Sequence, residues 1–383
     1  MKLNPTLPLG GLLTGILLFT STSCNKFEQP TCRPGNNKVT VFATGLNNPR
    51  GLKFGPDGYL YVAEGGTGGT NSTVGQCTQV VPPVGPYKGS ETSGRISKIS
   101  KSGVRTTITD KLPSTQNTEL VGGDISGVGD VAFIGNTLYA LITGAGCSHG
   151  VTSMPNGLRK INADGSSTQV ADLSAYTMAN PVKNPEEDDF EPDGDWYSMI
   201  NLRGDFYAIE ANHGELVRIT PDGKVSRVID ISASQGHIVP TSVTYWDGNF
   251  YVGNLNPFPI VDGGSSIYKI SPSGDIQKWA TGFSTILGVV FDSEGDLYVL
   301  ETAVGTPFPA PGKGQIVRLN ASGNRETIAT GLSMPTGITL GPDGQLYVSN
   351  VGFGPLAVGG GQILQIDVRA CTNNGSPYTS MHP

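Results

Sequence analysis

One phrase recurs through this chain and constrains its fold more than anything else: a tight turn followed by Leu-Tyr-Val or a close variant. The repeat Tyr falls at positions 61, 139, 207, 251, 298 and 347. The first two intervals are 78 and 68 residues and the later three are 44, 47 and 49. Each copy alternates apolar and polar residues with a period of two, as a half-buried strand does. In the fifth copy a four-strand unit is readable as "GVVFD", "DLYVLET", "QIVRLN" and "RETIAT", with "DSEG" and "ASG" as connecting turns. Four short antiparallel strands per roughly 45 residues, repeated six times, predict an all-β, six-bladed β-propeller. Beyond the N-terminal segment no stretch keeps a 3.6-residue period for long, so helices are not expected to build the core.

The sixth copy supplies only "GITL", "LYVSN" and "QILQIDV". Its missing outer strand matches "KVTVFAT" at 38–44, so the N-terminal strand is expected to join the last blade and close the ring. The propeller then spans 38–370, with 371–383 as a C-terminal tail. The composition agrees: 54 Gly and 27 Pro suit many turns, and only 15% of residues are charged. Net charge is −7 with no block of Lys or Arg, which argues against a nucleic-acid partner.

Lys2 precedes the apolar run "LGGLLTGILLFT" and then "STSCN". The run is too short to cross a bilayer core of about 30 Å and has the layout of a secretory signal over 1–23. Cys24 reads as a lipoprotein acceptor, although Ser21 stands where a lipobox usually has Leu. Plain export is the alternative and a buried apolar strand a third reading. Residues 24–37 are then a tether. Cys32, Cys77, Cys147 and Cys371 remain, an even number that suggests two disulfides in an exported chain, with three connectivities open. The expected closure brings Cys32 and Cys371 to one blade and favours their pairing. Cys77 and Cys147 fall on corresponding loops of adjacent blades, which favours that pair.

Strand direction sorts the loops. "GPDG" (twice), "WDG", "DSEG", "TPDG", "SPSG" and their kin join first to second and third to fourth strands on one face, where Pro, Asp and Gly do turn work. Every long segment falls on the opposite face: 65–94, 144–156 and 175–195. Long loops on a rigid scaffold are where binding sites usually reside. Three residues beyond each repeat Tyr lie Glu64, Ile142, Glu210, Asn254, Glu301 and Asn350. Five of these six carry oxygen ligands, so a hard cation, Ca²⁺ or Mg²⁺, is the candidate cofactor, with Glu64, Glu210, Asn254 and Glu301 as metal ligands. Carboxylates converging without a cation would raise a pKa and offer a general acid or base. The plain alternative is a polar rim that bonds backbone amides.

His149, His213 and His237 belong to the same face and are, with Glu210, the catalytic candidates. Glu64, Glu210, His213, His237, Asn254, Asn256, Glu301 and Asn350 form the candidate ligand-binding set. No HxH or HExxH spacing exists to make the histidines a metal motif. The run Glu186, Glu187, Asp188, Asp189 reads as a solvated loop. With Glu191, Asp193 and Asp195 it offers a second place for Ca²⁺, without EF-hand spacing. P-loop, GxSxG and CxxC patterns do not occur.

The stretches "VFATGLNNPRGLKFGPDGYLYVAEGGTGG", "VAFIGNTLYALITGAGCSHG", "DFEPDGDWYSM", "EANHGELVRITPDGKVSRVIDISASQGHIVPT", "YVGNLNPFPIV" and "YVLETAVGTPFP" occur in order across roughly 38–368. On these the chain resembles the ScyD/ScyE family, whose founding members accompany scytonemin pigment biosynthesis. The resemblance implies an exported six-bladed propeller related in architecture to NHL-type and gluconolactonase-like propellers, and it supplies no reaction. Gluconolactonase-like propellers bind a divalent cation with Glu, Asn and Asp near the axis. Glu64, Asn254 and Glu301 offer similar chemistry at positions that are not the same motif. The expectation is therefore an exported or lipid-anchored binding propeller, monomeric, whose partner is a small molecule, a glycan or an exported protein. Membrane contact is expected only through the N-terminal lipid. The alternative is a divalent-metal-dependent hydrolase, lactonase or lyase acting at the channel mouth.

Overall fold

In a computed structural model the chain is described over residues 38–368, except 186, 306, 355 and 356. The expected signal segment, Cys24 acceptor, tether, tail and Cys32–Cys371 pair all lie outside the described residues. The first strand, β1 (Val39–Asn47), belongs to the last blade. Blade one is β2 (Pro49–Phe54), β3 (Leu60–Glu64), β4 (Lys88–Ile99) and β5 (Arg105–Gln116), with the short β6 (Ile125–Ser126) added to β5. Blade two is β7 (Val128–Ile134), β8 (Thr137–Ile142), β9 (Gly157–Ile161) and β10 (Ser167–Asp172). Blade three is β11 (Trp196–Leu202), β12 (Asp205–Glu210), β13 (Glu215–Ile219) and β14 (Val225–Asp230). Blade four is β15 (Pro240–Trp246), β16 (Asn249–Asn254), β17 (Ser265–Ile270) and β18 (Ile276–Phe283). Blade five is β19 (Ile286–Phe291), β20 (Leu297–Glu301), β21 (Gly314–Leu319) and β22 (Arg325–Leu332). Blade six is β23 (Gly337–Leu340), β24 (Leu346–Asn350) and β25 (Gly361–Ile366).

β1 completes blade six, antiparallel to β25 from Val39 opposite Ile366 to Leu46 opposite Gly361. The first strands of successive blades lie against one another, β2 on β7, β7 on β11, β11 on β15, β15 on β19, β19 on β23 and β23 on β2. The ring is therefore closed, and those six strands stand nearest the axis. The expected architecture and its closure by the N-terminal strand are both observed.

The packing explains why the repeat phrase holds its letters. Tyr61 meets Phe133 of the next blade with ring centroids 4.9 Å apart, Tyr139 meets Phe206 at 4.8 Å, and Tyr207 meets Phe250 at 4.7 Å. Tyr251 meets Phe291 at 4.9 Å, and Tyr347 crosses the closure to Phe54 at 5.0 Å. Such pairs add about 0.5–1.5 kcal/mol beyond the area they bury. The hydroxyl of Tyr61 donates to Asp57 at 2.9 Å, and that of Tyr347 to Asp343 at 3.0 Å. The Asp of each "GPDG" turn is thereby tied to the Tyr of its own strand. Apolar clusters fill the seams between blades; at the closure Ala43, Leu46 and Ile363 pack on Leu52, Leu60 and Val62.

A register shift sits near the start of the innermost strand in five blades: between Pro49 and Leu52, Val128 and Asp130, Trp196 and Ser198, Pro240 and Ser242, and Ile286 and Gly288. Gly51 occupies the first of these. A Cβ there would lie 2.0 Å from Oδ1 and 2.9 Å from Cα of Asp130 in blade two, so only glycine lets the two strands approach this closely. Two features depart from the sequence reading. β4 starts at Lys88, inside the segment expected to be loop, and with β5 extends blade one outward. The 175–195 segment opens within a helix, α1 (Leu173–Ala179), which Asp172 caps by accepting the amide of Ala175 at 2.8 Å.

Candidate functional site

The six rim positions end the second strand of each blade, as their spacing predicts, but they do not converge on the axis. The innermost strand of each blade stands between them and the channel, and each rim side chain turns into the connections of its own neighbourhood. Glu64 accepts from the amide of Asn47 at 2.6 Å and from Arg95 Nε at 2.9 Å and Nη2 at 2.5 Å. Glu210 accepts from the amides of Asp195 at 2.7 Å, Asn212 at 3.2 Å, His213 at 2.5 Å and Gly214 at 3.1 Å. Asn254 accepts from the amide of Ser266 at 2.7 Å and donates to Ile238 O and to Asn256 Oδ1; Asn256 in turn donates to Ser265. Glu301 accepts from the amide of Ser284 at 2.5 Å and from Gln315 at 2.6 Å, and Asn350 from the amide of Ser333 at 2.8 Å. This is a repeated clamp on the chain entering five of the six blades; in blade two the position is Ile142, which has no polar atom to take part. Among the described residues no group of three or more His, Cys, Asp or Glu side chains is placed to hold a metal ion. The expectation of Ca²⁺ or Mg²⁺ at Glu64, Glu210, Asn254 and Glu301 is corrected accordingly: their oxygens are committed to amides and side chains nearby.

Chemistry concentrates instead where the 175–195 segment lies over blades one to three. Glu187 and Asp188 are exposed, but Glu191 and Asp193 are buried, 6% and 3% accessible. Glu191 accepts from the Tyr87 hydroxyl at 2.8 Å and pairs with His149 Nε2 at 3.0 Å. Asp193 Oδ2 accepts from the Ser148 amide at 2.8 Å and its hydroxyl at 2.6 Å. Thr143 donates to Asp195 at 2.7 Å. One segment is thereby stitched to blade one through Tyr87 and to blade two through Thr143, Ser148 and His149.

This acidic nest shifts its members strongly. Burial and the Glu191 charge push Asp195 up to about 6, against the Thr143 bond and the Arg50 charge. Burial pushes Glu210 up to about 8 despite its amide donors, with Asp195 and Glu191 adding to the rise. Glu215 rises to about 7 through burial, opposed by Arg227. Burial alone would lower His149, but the Glu191 bond and the surrounding carboxylates outweigh it and raise it. His213 moves the other way, lowered by burial.

Beside the nest opens a cavity of about 440 Å³. Met178 at the end of α1, Val182, Phe190, Pro192 and the Cys77–Cys147 disulfide form most of its wall. The disulfide expected between loops of adjacent blades is present, with Cα atoms 6.3 Å apart. Four polar side chains line the cavity: Thr78, which is exposed; Thr177, whose hydroxyl donates to Leu173 O and Ser174 O; and the buried Asp193 and His213. His213 Nε2 lies 3.0 Å from Glu191 O, which can only accept, so this nitrogen carries the proton and Nδ1 keeps a lone pair. Phe190 stacks on the imidazole with centroids 5.2 Å apart and planes 5° from parallel.

Of the catalytic candidates, Glu210 and His213 are brought together, since the carboxylate of Glu210 accepts the His213 amide, and His149 joins the same nest through Glu191. His237, on the connection into blade four, does not line the cavity. Nor do Glu64, Asn254, Asn256, Glu301 and Asn350. Asp193 enters the sequence reading only as part of a second place for Ca²⁺, and Phe190 and Tyr87 do not enter it as site residues. The available signal was the strict alternation Glu191-x-Asp193-x-Asp195 with apolar residues close by, which does not suit a fully solvated loop.

No protein-family model matches the chain, and no curated sequence matches it significantly. Solved structures do. The PQQ-bound aldose sugar dehydrogenase of Streptomyces coelicolor aligns over 86% of this chain and 98% of its own, at 14% identity and a TM-score of 0.52. A gluconolactonase of Xanthomonas campestris aligns over 88% and 91% at 9% identity and 0.51. A protein of unknown function from Bacteroides thetaiotaomicron aligns over 86% and 72% at 12% identity and 0.52. At such identities the likeness is one of fold: the chain shares the six-bladed architecture of gluconolactonase-like propellers.

Proposed function

We propose that this chain is a ligand-binding propeller of the ScyD/ScyE kind, exported and either lipid-anchored at Cys24 or released, that takes a small molecule in the cavity beside the disulfide. The observation that carries this reading is the cavity itself: about 440 Å³, a largely apolar wall, and the buried titratable side chains of Asp193 and His213 in its lining. That combination of size, apolar lining and few fixed polar groups is what small-molecule sites share. The long loops of blades one and two and the bridge into blade three meet there, joined by the disulfide. The test is ligand-observed NMR against a fragment library, comparing wild type with Val182→Trp, which fills the cavity. Fragments that bind wild type and are lost in the variant support the reading. Equal binding to both places the ligand elsewhere and overturns it.

A second reading, a hydrolase, lactonase or lyase, is favoured by one observation: His213 offers an unprotonated Nδ1 within an apolar pocket. Such a group is suited to general-base work. The fold neighbours include a gluconolactonase and a sugar dehydrogenase, which supports keeping this reading. Since the rim does not fit a cation, catalysis here would rest on His213 without a rim metal. Turnover of an aryl-ester and lactone panel, unchanged by EDTA and lost in His213→Gln, is the expected result; no turnover by wild type refutes it.

A further inference from the structure

The cavity's chemistry narrows what can occupy it. Resting on the reading that the cavity is the binding site, we infer that its ligand is a small hydrophobic amine, a protonated nitrogen on an apolar body. Of its polar lining, Asp193 and His213 each offer an acceptor, Thr177 spends its hydroxyl on Leu173 O and Ser174 O, and Thr78 is exposed. Asp193 commits Oδ2 to Ser148, and its Oδ1 has no hydrogen-bond partner among the described residues, although the residue is only 3% accessible and lines the cavity. His213 donates through Nε2 to Glu191 O and keeps Nδ1 as a lone pair. Among the described residues neither Lys nor Arg lines the cavity.

The setting is more acidic than these two groups alone. Glu191, Asp195, Glu210 and Glu215 lie in the same nest, answered by His149 and by Arg50 and Arg227 at its margins. A carboxylate or phosphate ligand would bring a further negative charge into a site whose own acids already repel one another. A protonated amine relieves that repulsion and gives Asp193 Oδ1 the donor it lacks, a charge-assisted bond of the stronger kind. Most of the wall, including Met178, Val182, Phe190, Pro192 and the disulfide, offers apolar contact to the ligand's body. The chain's net charge of −7 attracts cations from a distance as well.

The test uses three probes that share one body and differ in head group: 2-phenylethylamine, 2-phenylethanol and 3-phenylpropionate. Binding to the full-length protein is measured by isothermal titration and saturation-transfer NMR at millimolar concentrations, with wild type, Asp193→Asn and Val182→Trp. The amine is expected to bind wild type at least about tenfold tighter than the alcohol, as a hydrogen bond to a charged group predicts, and the propionate not at all. Asp193→Asn, which keeps an oxygen for Ser148, should remove the amine's advantage over the alcohol and leave the alcohol's affinity unchanged. Val182→Trp should abolish both. If the alcohol or propionate binds as well as the amine and Val182→Trp still blocks it, the amine assignment fails while the cavity remains the site. If none of the three binds wild type, or if all bind Val182→Trp unchanged, both fail. The wild-type ranking decides the matter even if Asp193→Asn does not fold.

Discussion

Replacing Glu64 with Ala tests the reassignment of the rim from ligand set to clamp. Glu64 is fully buried, and Arg95, its ion-pair partner at 2.5 Å, is mostly so. The same oxygen, Oε2, also accepts the amide of Asn47, the last residue of β1, so one carboxylate fastens the strand that completes blade six to blade one. Removing one partner of a buried ion pair costs about 3–5 kcal/mol, because the remaining charge stays buried without an answer. The orphaned Asn47 amide adds about 1–3 kcal/mol at most. A domain of this size shifts by about 2 °C per kcal/mol, so Glu64→Ala should melt roughly 6–16 °C below wild type. Differential scanning calorimetry at neutral pH, with EDTA and with added Ca²⁺, measures it. The clamp predicts a wild-type melt indifferent to both additions. A ligand that binds the folded state would instead raise the melting temperature by mass action. A Glu64→Ala melt within about 2 °C of wild type, or a Ca²⁺-dependent wild-type melt that the substitution abolishes, refutes the assignment.

The acidic nest makes stability pH-dependent: the folded values of Glu210, about 8, and Glu215, about 7, lie above their ordinary 4.5, so the folded state holds those protons more tightly. Their contribution is complete below about 4.5 and is lost as pH rises through about 7 to 8, so the melting temperature should fall across that window, and Glu210→Gln should flatten the fall. A wild-type melting temperature that rises from pH 6 to pH 9 contradicts this. Reducing Cys77–Cys147, which spans 70 residues, should cost about 4 kcal/mol by the chain-entropy estimate and loosen the cavity wall, seen as a lower urea midpoint in dithiothreitol. Gly51→Ala drives a Cβ into Asp130 of the next blade and should cost at least about 3 kcal/mol or abolish soluble expression. Gly360→Ala, with no atom within 4 Å of the new Cβ, should stay within about 0.5 kcal/mol of wild type.

The fold was legible because its repeat is redundant. Six copies of one phrase report one supersecondary unit, and the truncated sixth copy points to where its missing strand must come from. The rim was misread for a reason inherent in sequence: spacing gives the end of the second strand, but not which strand stands next to the axis. Glu64 and Glu301 look alike in sequence whether they face a channel or an amide. Asp193 reads in sequence only as one more acid of a solvated or Ca²⁺-holding run, and only the fold shows that Tyr87, 104 residues away from Glu191, comes down to meet that segment. The Tyr–Phe contacts between blades were also invisible one blade at a time, since each partner belongs to the next repeat.

The borrowing of β1 by the last blade has a consequence in time. Thr40 hydrogen-bonds to Gln365, 325 residues later. At about 5–20 residues per second of synthesis, β1 waits roughly 15–65 seconds for β25 to exist. Through that interval the outer strand of blade six has no blade to join, and β1 carries an unpaired edge with Val39 and Val41 uncovered by any partner. A chain stopped short of β25 can stack blades one to five and still cannot form the seam between Leu46 and Leu52. Completion of synthesis, more than any single contact, decides when this protein becomes a ring.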